Sequence, residues 1–235
     1  MSHIKSITPI DGRYNSKCKE LINYFSEYAL LKYRLQIEIE YLIYLNKTEI
    51  CNYKFTDKDI LFLKSIYTNF NSRESKTIKN IEKVTNHDIK SIEYYIKSII
   101  ESNPMLNDKN ISSLVHFGLT SQDINSSSYI LSIKNCINTI IIPNINSIFN
   151  TLLNYSNLWK DIVILTRTHG QPASPSLLGK ELLVYIERID NQLTQLKNVK
   201  YKTKFGGAIG NFNSLHFSNP NINWIQFADN FIESL

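Results

Sequence analysis

Along the 235-residue chain, apolar residues recur at spacings of three and four over long stretches, a rhythm that predicts long helices. Leu21, Phe25, Tyr28, Leu31, Leu35, Ile39 and Leu42 mark a core-facing helix from Leu21 to about Asn46. A second is predicted from about Asp57 to Asn69, with Thr56 placed to cap it and Phe55 as a hydrophobic staple. A short charged helix follows from Glu74 to Val84, and Ile89, Ile92, Tyr95, Ile96 and Ile99 carry another from Asp88 to about Glu101. The longest rhythm runs through Ile130, Ile133, Ile137, Ile141, Ile145, Ile148, Leu152, Tyr155 and Trp159 and predicts a helix from about Ser121 to Lys160. Lys134 is its only charge between Ile124 and Trp159, so this helix is expected to be buried among several partners, in a bundle and at an oligomer interface. Pro143 should kink it without ending it. Leu178, Leu182, Tyr185, Ile186, Ile189, Leu193 and Leu196 mark an amphipathic helix from about Pro175 to Val199, and Pro220 opens a final one to about Ser234.

The fold class is therefore all-α. Asn103-Pro104 breaks the chain, and the polar stretch from Met105 to Asn110 separates a small N-terminal helical domain, residues 1–111, from residues 112–235. With 43% apolar content the chain can bury a sizeable core, and only seven glycines and six prolines suit long uninterrupted elements. The net charge of +5 suits anionic partners, but Lys and Arg are scattered among Asp and Glu, so nucleic acid is not required. Cys18, Cys51 and Cys136 form no Cys-x-x-Cys pair, which fits a reduced cytoplasmic protein and indicates no metal. The first residues hold no apolar signal core and no run approaches the roughly 18 apolar residues of a membrane span, so no membrane is expected.

Candidate chemistry lies between the helices. The segment from Leu165 to Pro175 holds His169 beside Gly170, with Thr168 and Gln171 supplying hydroxyl and amide groups, and cannot be regular helix. Ser174-Pro175 reads as an N-cap and first-turn proline, which would set this loop just before a helix N-terminus that favours anions. Histidine suits proton donation near neutral pH, although a loop histidine taken alone is more often structural. Asp11-Gly12 is a turn followed by Arg13 and Tyr14, which by themselves read as a solvated arginine beside a packed tyrosine. Asn86, His87 and Asp88 interrupt two helices, and Asn86 or Asp88 could simply be caps. Thr120 with Asp123 has the form of a capping box, while the hydroxyls of Thr120 and Ser121 could hold a carboxylate. Gly206-Gly207-Ala208-Ile209-Gly210-Asn211-Phe212-Asn213 is the one glycine cluster, and the lack of a strand before it and of Gly-Lys-Ser/Thr after it argues against a Walker-type phosphate loop.

Four blocks agree in order and spacing: Asp11-Gly12-Arg13-Tyr14, Asn86-His87-Asp88-Ile89-Lys90, Thr120-Ser121-Gln122-Asp123-Ile124-Asn125, and Thr168-His169-Gly170-Gln171-Pro172-Ala173. Together they resemble the adenylosuccinate lyases, a family within the fumarase/aspartase superfamily, from about Ile7 to the end of the chain. The resemblance implies the first part of a long-helix bundle of the fumarase/aspartase type, and a carbon-nitrogen lyase that needs no cofactor. The implied reaction is β-elimination of fumarate from adenylosuccinate to give AMP, and from succinyl-aminoimidazole-carboxamide ribotide, in purine biosynthesis. It implies His169 as general acid, Thr120 and Ser121 on the succinyl group, Arg13 and Tyr14 on the phosphate, and Asn86, His87 and Asp88 on the nucleotide. Thr168 and Gln171 join them in binding substrate. It also implies a homotetramer whose active sites are shared between subunits. The glycine cluster resembles the family's Gly-Ala-x-Gly-Asn loop, near the site. Two departures stand out. Gln122 replaces the family's usual Glu, and the base-bearing Ser-Ser-x-Met-Pro-x-Lys-x-Asn signature does not occur. The chain thus looks like the first half of such an enzyme, expected to be inactive alone. The competing readings are a non-catalytic helical scaffold and a sister lyase acting on an argininosuccinate or malate substrate.

Overall fold

The computed structural model describes residues 3–235. In chain order its main elements are α1 (Ile22–Phe25), α2 (Glu27–Leu45), α3 (Asp57–Thr68), α4 (Ser72–Thr85), α5 (Asp88–Ser102), α6 (Ser121–Cys136), α7 (Ile142–Leu158), β1 (Val163–Thr168), β2 (Gln171–Leu177), α8 (Leu178–Lys197), α9 (Asn213–Ser218) and α10 (Trp224–Glu233). Among the described residues the fold is all-α apart from one two-stranded hairpin.

The helix expected from Leu21 is broken at Ser26. Its backbone is extended (φ −76, ψ 161), and its hydroxyl donates to the Ile22 carbonyl at 2.6 Å while accepting the Ala29 amide at 3.1 Å. One serine thus ends α1 and caps α2, because its oxygen competes locally with the backbone ladder. Phe25, assigned to the core from periodicity, is exposed. The starts of α3 and α4 carry full capping boxes, Thr56 with Asp59 and Asn71 with Glu74.

Residues through Lys134 together with Lys202–Leu235 form one compact unit, and Asn135–Tyr201 form a second. The first is built around α2, which is buried on two faces. Leu31, Leu35, Ile39 and Leu42 pack with Leu63, Ile66, Ile78, Ile92 and Ile96 of α3 to α5. Ala29, Tyr33, Ile37, Tyr41 and Leu45 pack instead with Ile124 and Leu131 of α6, Leu215 of α9 and Trp224, Phe227 and Phe231 of α10. Each fully buried aliphatic side chain on α2 contributes about 1.5–3 kcal/mol. Leu106, Ile111 and Val115 lie in the same core as α2 to α5.

Between α6 and α7 the helix passes Pro143 through a π turn, Ile137–Ile141, so the proline does not end it. Proline supplies no N–H, and a wider turn accommodates the missing bond. Contrary to the sequence expectation, Ser121–Leu158 is long and apolar enough to cross a membrane, because isoleucine and leucine outweigh the polar residues over that stretch. Asn138, Asn146, Asn150 and Asn154 would each carry an amide into hydrocarbon. Within this chain Ile141, Ile148, Leu153 and Leu158 stay exposed, so the expected burial of this helix is not supplied by these residues alone.

In the second unit α8 begins against the end of α7. A Cβ on Gly179 would stand 2.3 Å from the Ser156 carbonyl oxygen, and the Ser156 hydroxyl donates to the Gly179 carbonyl at 2.8 Å. The final helix starts at Trp224, capped by Asn223, rather than at Pro220, since an Asn side chain can accept the Gln226 amide and a proline cannot.

Candidate active site

His169 sits at the tip of the hairpin. Thr168 pairs with Gln171 across a two-residue turn, where His169 has φ 49 and Gly170 has φ 77. Two successive positive φ angles make a turn whose twist matches the strands it joins. Gly170 takes this geometry freely and His169 holds it as a non-glycine residue. The imidazole is exposed and makes no hydrogen bond or ion pair among the described residues, with Thr168 and Gln171 exposed on either side. The hairpin was not foreseen, and the helix expected from Pro175 begins instead at Leu178. Pro175 pairs with Leu165 inside β2, tolerated because each strand of a two-stranded ribbon keeps a free edge. Ser174-Pro175 therefore caps nothing, and the loop does not lie directly before a helix N-terminus.

A second group gathers in the first unit. His87 itself is the N-cap of α5: its Nδ1 accepts the Lys90 amide at 3.1 Å, leaving the ring proton on Nε2. Asn86 ends α4 in the left-handed region (φ 51) rather than capping α5. Asp88 accepts from Arg34 Nη2 at 2.6 Å, and Arg34 Nε donates to Asn125 Oδ1 at 2.9 Å. One guanidinium on α2 thus joins the Asn86–Asp88 block to the helix that carries Thr120 and Ser121 at its start.

Thr120 and Asp123 form half of the expected box: the Thr120 amide donates to Asp123 Oδ2 at 2.9 Å. The fully buried Asp123 carboxylate also accepts the Gly206 and Gly207 amides, each at 3.0 Å, and Lys204 Nζ at 2.8 Å. Lys204 Nζ donates to the Gly207 carbonyl as well. The glycine cluster is thereby pinned beside the Thr120 block. The hydroxyls of Thr120 and Ser121 bond to no group among the described residues, and Gln122 is exposed.

Glu38 on α2 holds His116 Nδ1 at 2.6 Å. Burial pulls the His116 pKa down, but the hydrogen bond and charge of Glu38, with the charge of Glu93, outweigh that and the opposing Lys90, and raise it. The Tyr41 phenol is pushed up by burial and by the charges of Glu38 and Asp123. Arg13 and Tyr14 lie exposed in the N-terminal turns, the guanidinium 5.4 Å from the Tyr14 ring, and no hydrogen bond links them to another block among the described residues.

Arg34, Glu38, His116 and Lys204 escaped sequence reasoning. The available signal was faint: Arg34 and Glu38 stand four residues apart in a helix that also carries Glu27, Lys32, Gln36 and Glu40, and they lie off the stripe that Lys32, Gln36 and Glu40 form. Among the described residues no group of three or more His, Cys, Asp and Glu is placed to hold a metal ion.

The family described as Lyase matches residues 12–232. The chain is 44% identical over 240 residues to the adenylosuccinate lyase of Dictyostelium discoideum, covering all of this chain and 51% of that protein. It is 40% identical over 238 residues to the enzyme of Vibrio cholerae, covering all of this chain and 52% of that one. Among solved structures, 3-carboxy-cis,cis-muconate lactonizing enzyme from Pseudomonas putida aligns with a TM-score of 0.70 at 16% identity, over 93% of this chain and 46% of that one. A fumarate lyase from Mesorhizobium aligns with a TM-score of 0.66 at 19% identity, over 85% and 44%. The chain spans about half the length of these relatives. It belongs to the lyase family, with the fold of the fumarate lyase superfamily, and its similarity to adenylosuccinate lyases is that of an N-terminal half.

Proposed function

We propose that the chain is the N-terminal half of an adenylosuccinate lyase. In the proposed reaction a base removes a proton from the carbon next to a succinyl carboxylate, those electrons form the double bond of fumarate, and the C–N bond breaks. His169 delivers a proton to the departing nitrogen, releasing AMP, and the same elimination acts on succinyl-aminoimidazole-carboxamide ribotide. Thr120 and Ser121 hold the succinyl carboxylate as negative charge builds on it. Arg13 and Tyr14 take the phosphate, Asn86, His87 and Asp88 the nucleotide, and Thr168 and Gln171 flank the acid.

The observation that carries this reading is the His169 imidazole, held on a backbone turn and engaged by no other group among the described residues. A structural histidine would be expected to have a partner. The base is proposed to lie outside these 235 residues, so the chain alone would not turn over. The reading includes a cytoplasmic homotetramer with shared sites; the exposed apolar side chains Ile148, Leu153 and Leu158 support only the part of it that has this helix face meet another copy.

Complementation tests the proposal. Mixed with the C-terminal half of a related enzyme, the chain should release fumarate from adenylosuccinate, and His169→Ala should not. Rapid turnover by the chain alone, or unchanged turnover with His169→Ala, would remove the assignment.

A further inference from the structure

Helix α2 carries three buried polar side chains at a spacing of four and three, Arg34, Glu38 and Tyr41, which share one face. Arg34 reaches Asp88 and Asn125. Glu38 reaches His116, and the Tyr41 hydroxyl donates to the Phe117 carbonyl at 2.7 Å. The last two hold the segment that leads directly into Thr120.

That segment needs holding. His116 has φ 63 and Gly118 has φ 69, two left-handed residues within three positions, and the Leu119 amide closes the turn on the His116 carbonyl at 3.2 Å. A left-handed histidine is disfavoured unless its surroundings enforce it. Glu38 is fully buried, and its second oxygen, Oε2, has no hydrogen-bond partner among the described residues. A buried carboxylate contributes less to packing than an apolar side chain of the same size. Its one strong interaction here is the short bond to His116, so the geometry it enforces accounts for its presence.

We propose that Glu38 and His116 are a positioning pair that fixes the 116–119 turn and thereby aims the Thr120 and Ser121 hydroxyls. The pair acts through the turn. The functional part rests on the reading of Thr120 and Ser121 as carboxylate donors.

Two arms test it. In the 235-residue chain, Glu38→Gln keeps size and an oxygen for Nδ1 but removes the charge, and His116→Asn keeps a residue that tolerates the left-handed backbone. Amide exchange at residues 117–123 should become about tenfold faster in either variant, with Ile92 and Ile96 unchanged and the double variant no faster than the singles. In the complemented enzyme, Glu38→Gln should raise KM for adenylosuccinate about tenfold while kcat stays within about twofold. Unchanged exchange at 117–123, or equal acceleration in α5, overturns the pair whether or not the enzyme is active. Faster exchange with unchanged KM overturns its positioning role. A wild-type mixture without activity sinks the lyase reading and leaves the exchange arm to decide the pair.

Discussion

Arg34 Nη2 lies 2.6 Å from Asp88 Oδ2 while Arg34 Nε donates to Asn125 Oδ1, so one guanidinium ties the start of α5 to the early turns of α6. Lysine has a single ammonium and cannot make both bonds in this geometry. Arg34→Lys should lower stability by about 1–3 kcal/mol, the lower part of that range being favoured because the Asp88 side chain is 40% exposed. Urea denaturation measures it. A loss no larger than in a surface Lys→Arg control would show that the bridge contributes nothing.

Asp123 gathers backbone amides from two separate segments and the Lys204 ammonium. Asp123→Asn presents an amide N–H to donors that need an acceptor, so the 203–210 segment should detach before the core does. Limited trypsin digestion at Lys202 and Lys204 should accelerate roughly tenfold, as local opening costs about 1.4 kcal/mol less. Cleavage at the wild-type rate would contradict this.

The raised pKa of His116 has a pH consequence. Folding favours its imidazolium, so the stabilisation is complete below the unfolded value of 6.5 and is lost as pH rises through the higher folded value. Glu38, Glu93 and Lys90 are the charged groups that set that value. Melting temperature should therefore fall as pH rises from 6.5, and His116→Asn should flatten this part of the profile. A wild-type profile that rises over that interval would reverse the sign.

Gly179 occupies a helical position where alanine is intrinsically preferred. Its Cβ would nevertheless meet the Ser156 carbonyl oxygen at 2.3 Å and the Lys160 Cα at 2.8 Å. Gly179→Ala should destabilise by about 1–3 kcal/mol, against the propensity trend. A thermal melt showing stabilisation would mean that α7 and α8 separate at no cost.

His169 is exposed and unbonded among the described residues, so His169→Ala should change stability by no more than about 0.5 kcal/mol. It should still abolish fumarate release in the complemented enzyme. A large stability loss would instead make the ring structural.

Periodicity alone determined most of the helices, because a helix with one apolar stripe advertises itself every three to four residues. The Asp88–Ser102 helix was legible for that reason, and Thr56 was legible from the capping chemistry of its hydroxyl. Ser26 broke a rhythm that read as continuous, since a local side-chain bond outweighed the pattern. The four sequence blocks also marked His169, His87 and Thr120 as candidates, but not how they are held. That His87 caps a helix, that His169 rides a hairpin turn, and that Arg34 and Glu38 brace two blocks from inside α2 were decided by tertiary structure. The physical reason is burial on two faces: α2 leaves only the narrow stripe of Lys32, Gln36 and Glu40 half-buried, and Arg34 and Glu38 lie off it, so their charges look misplaced until the partner arriving from 54 or 78 residues away is seen.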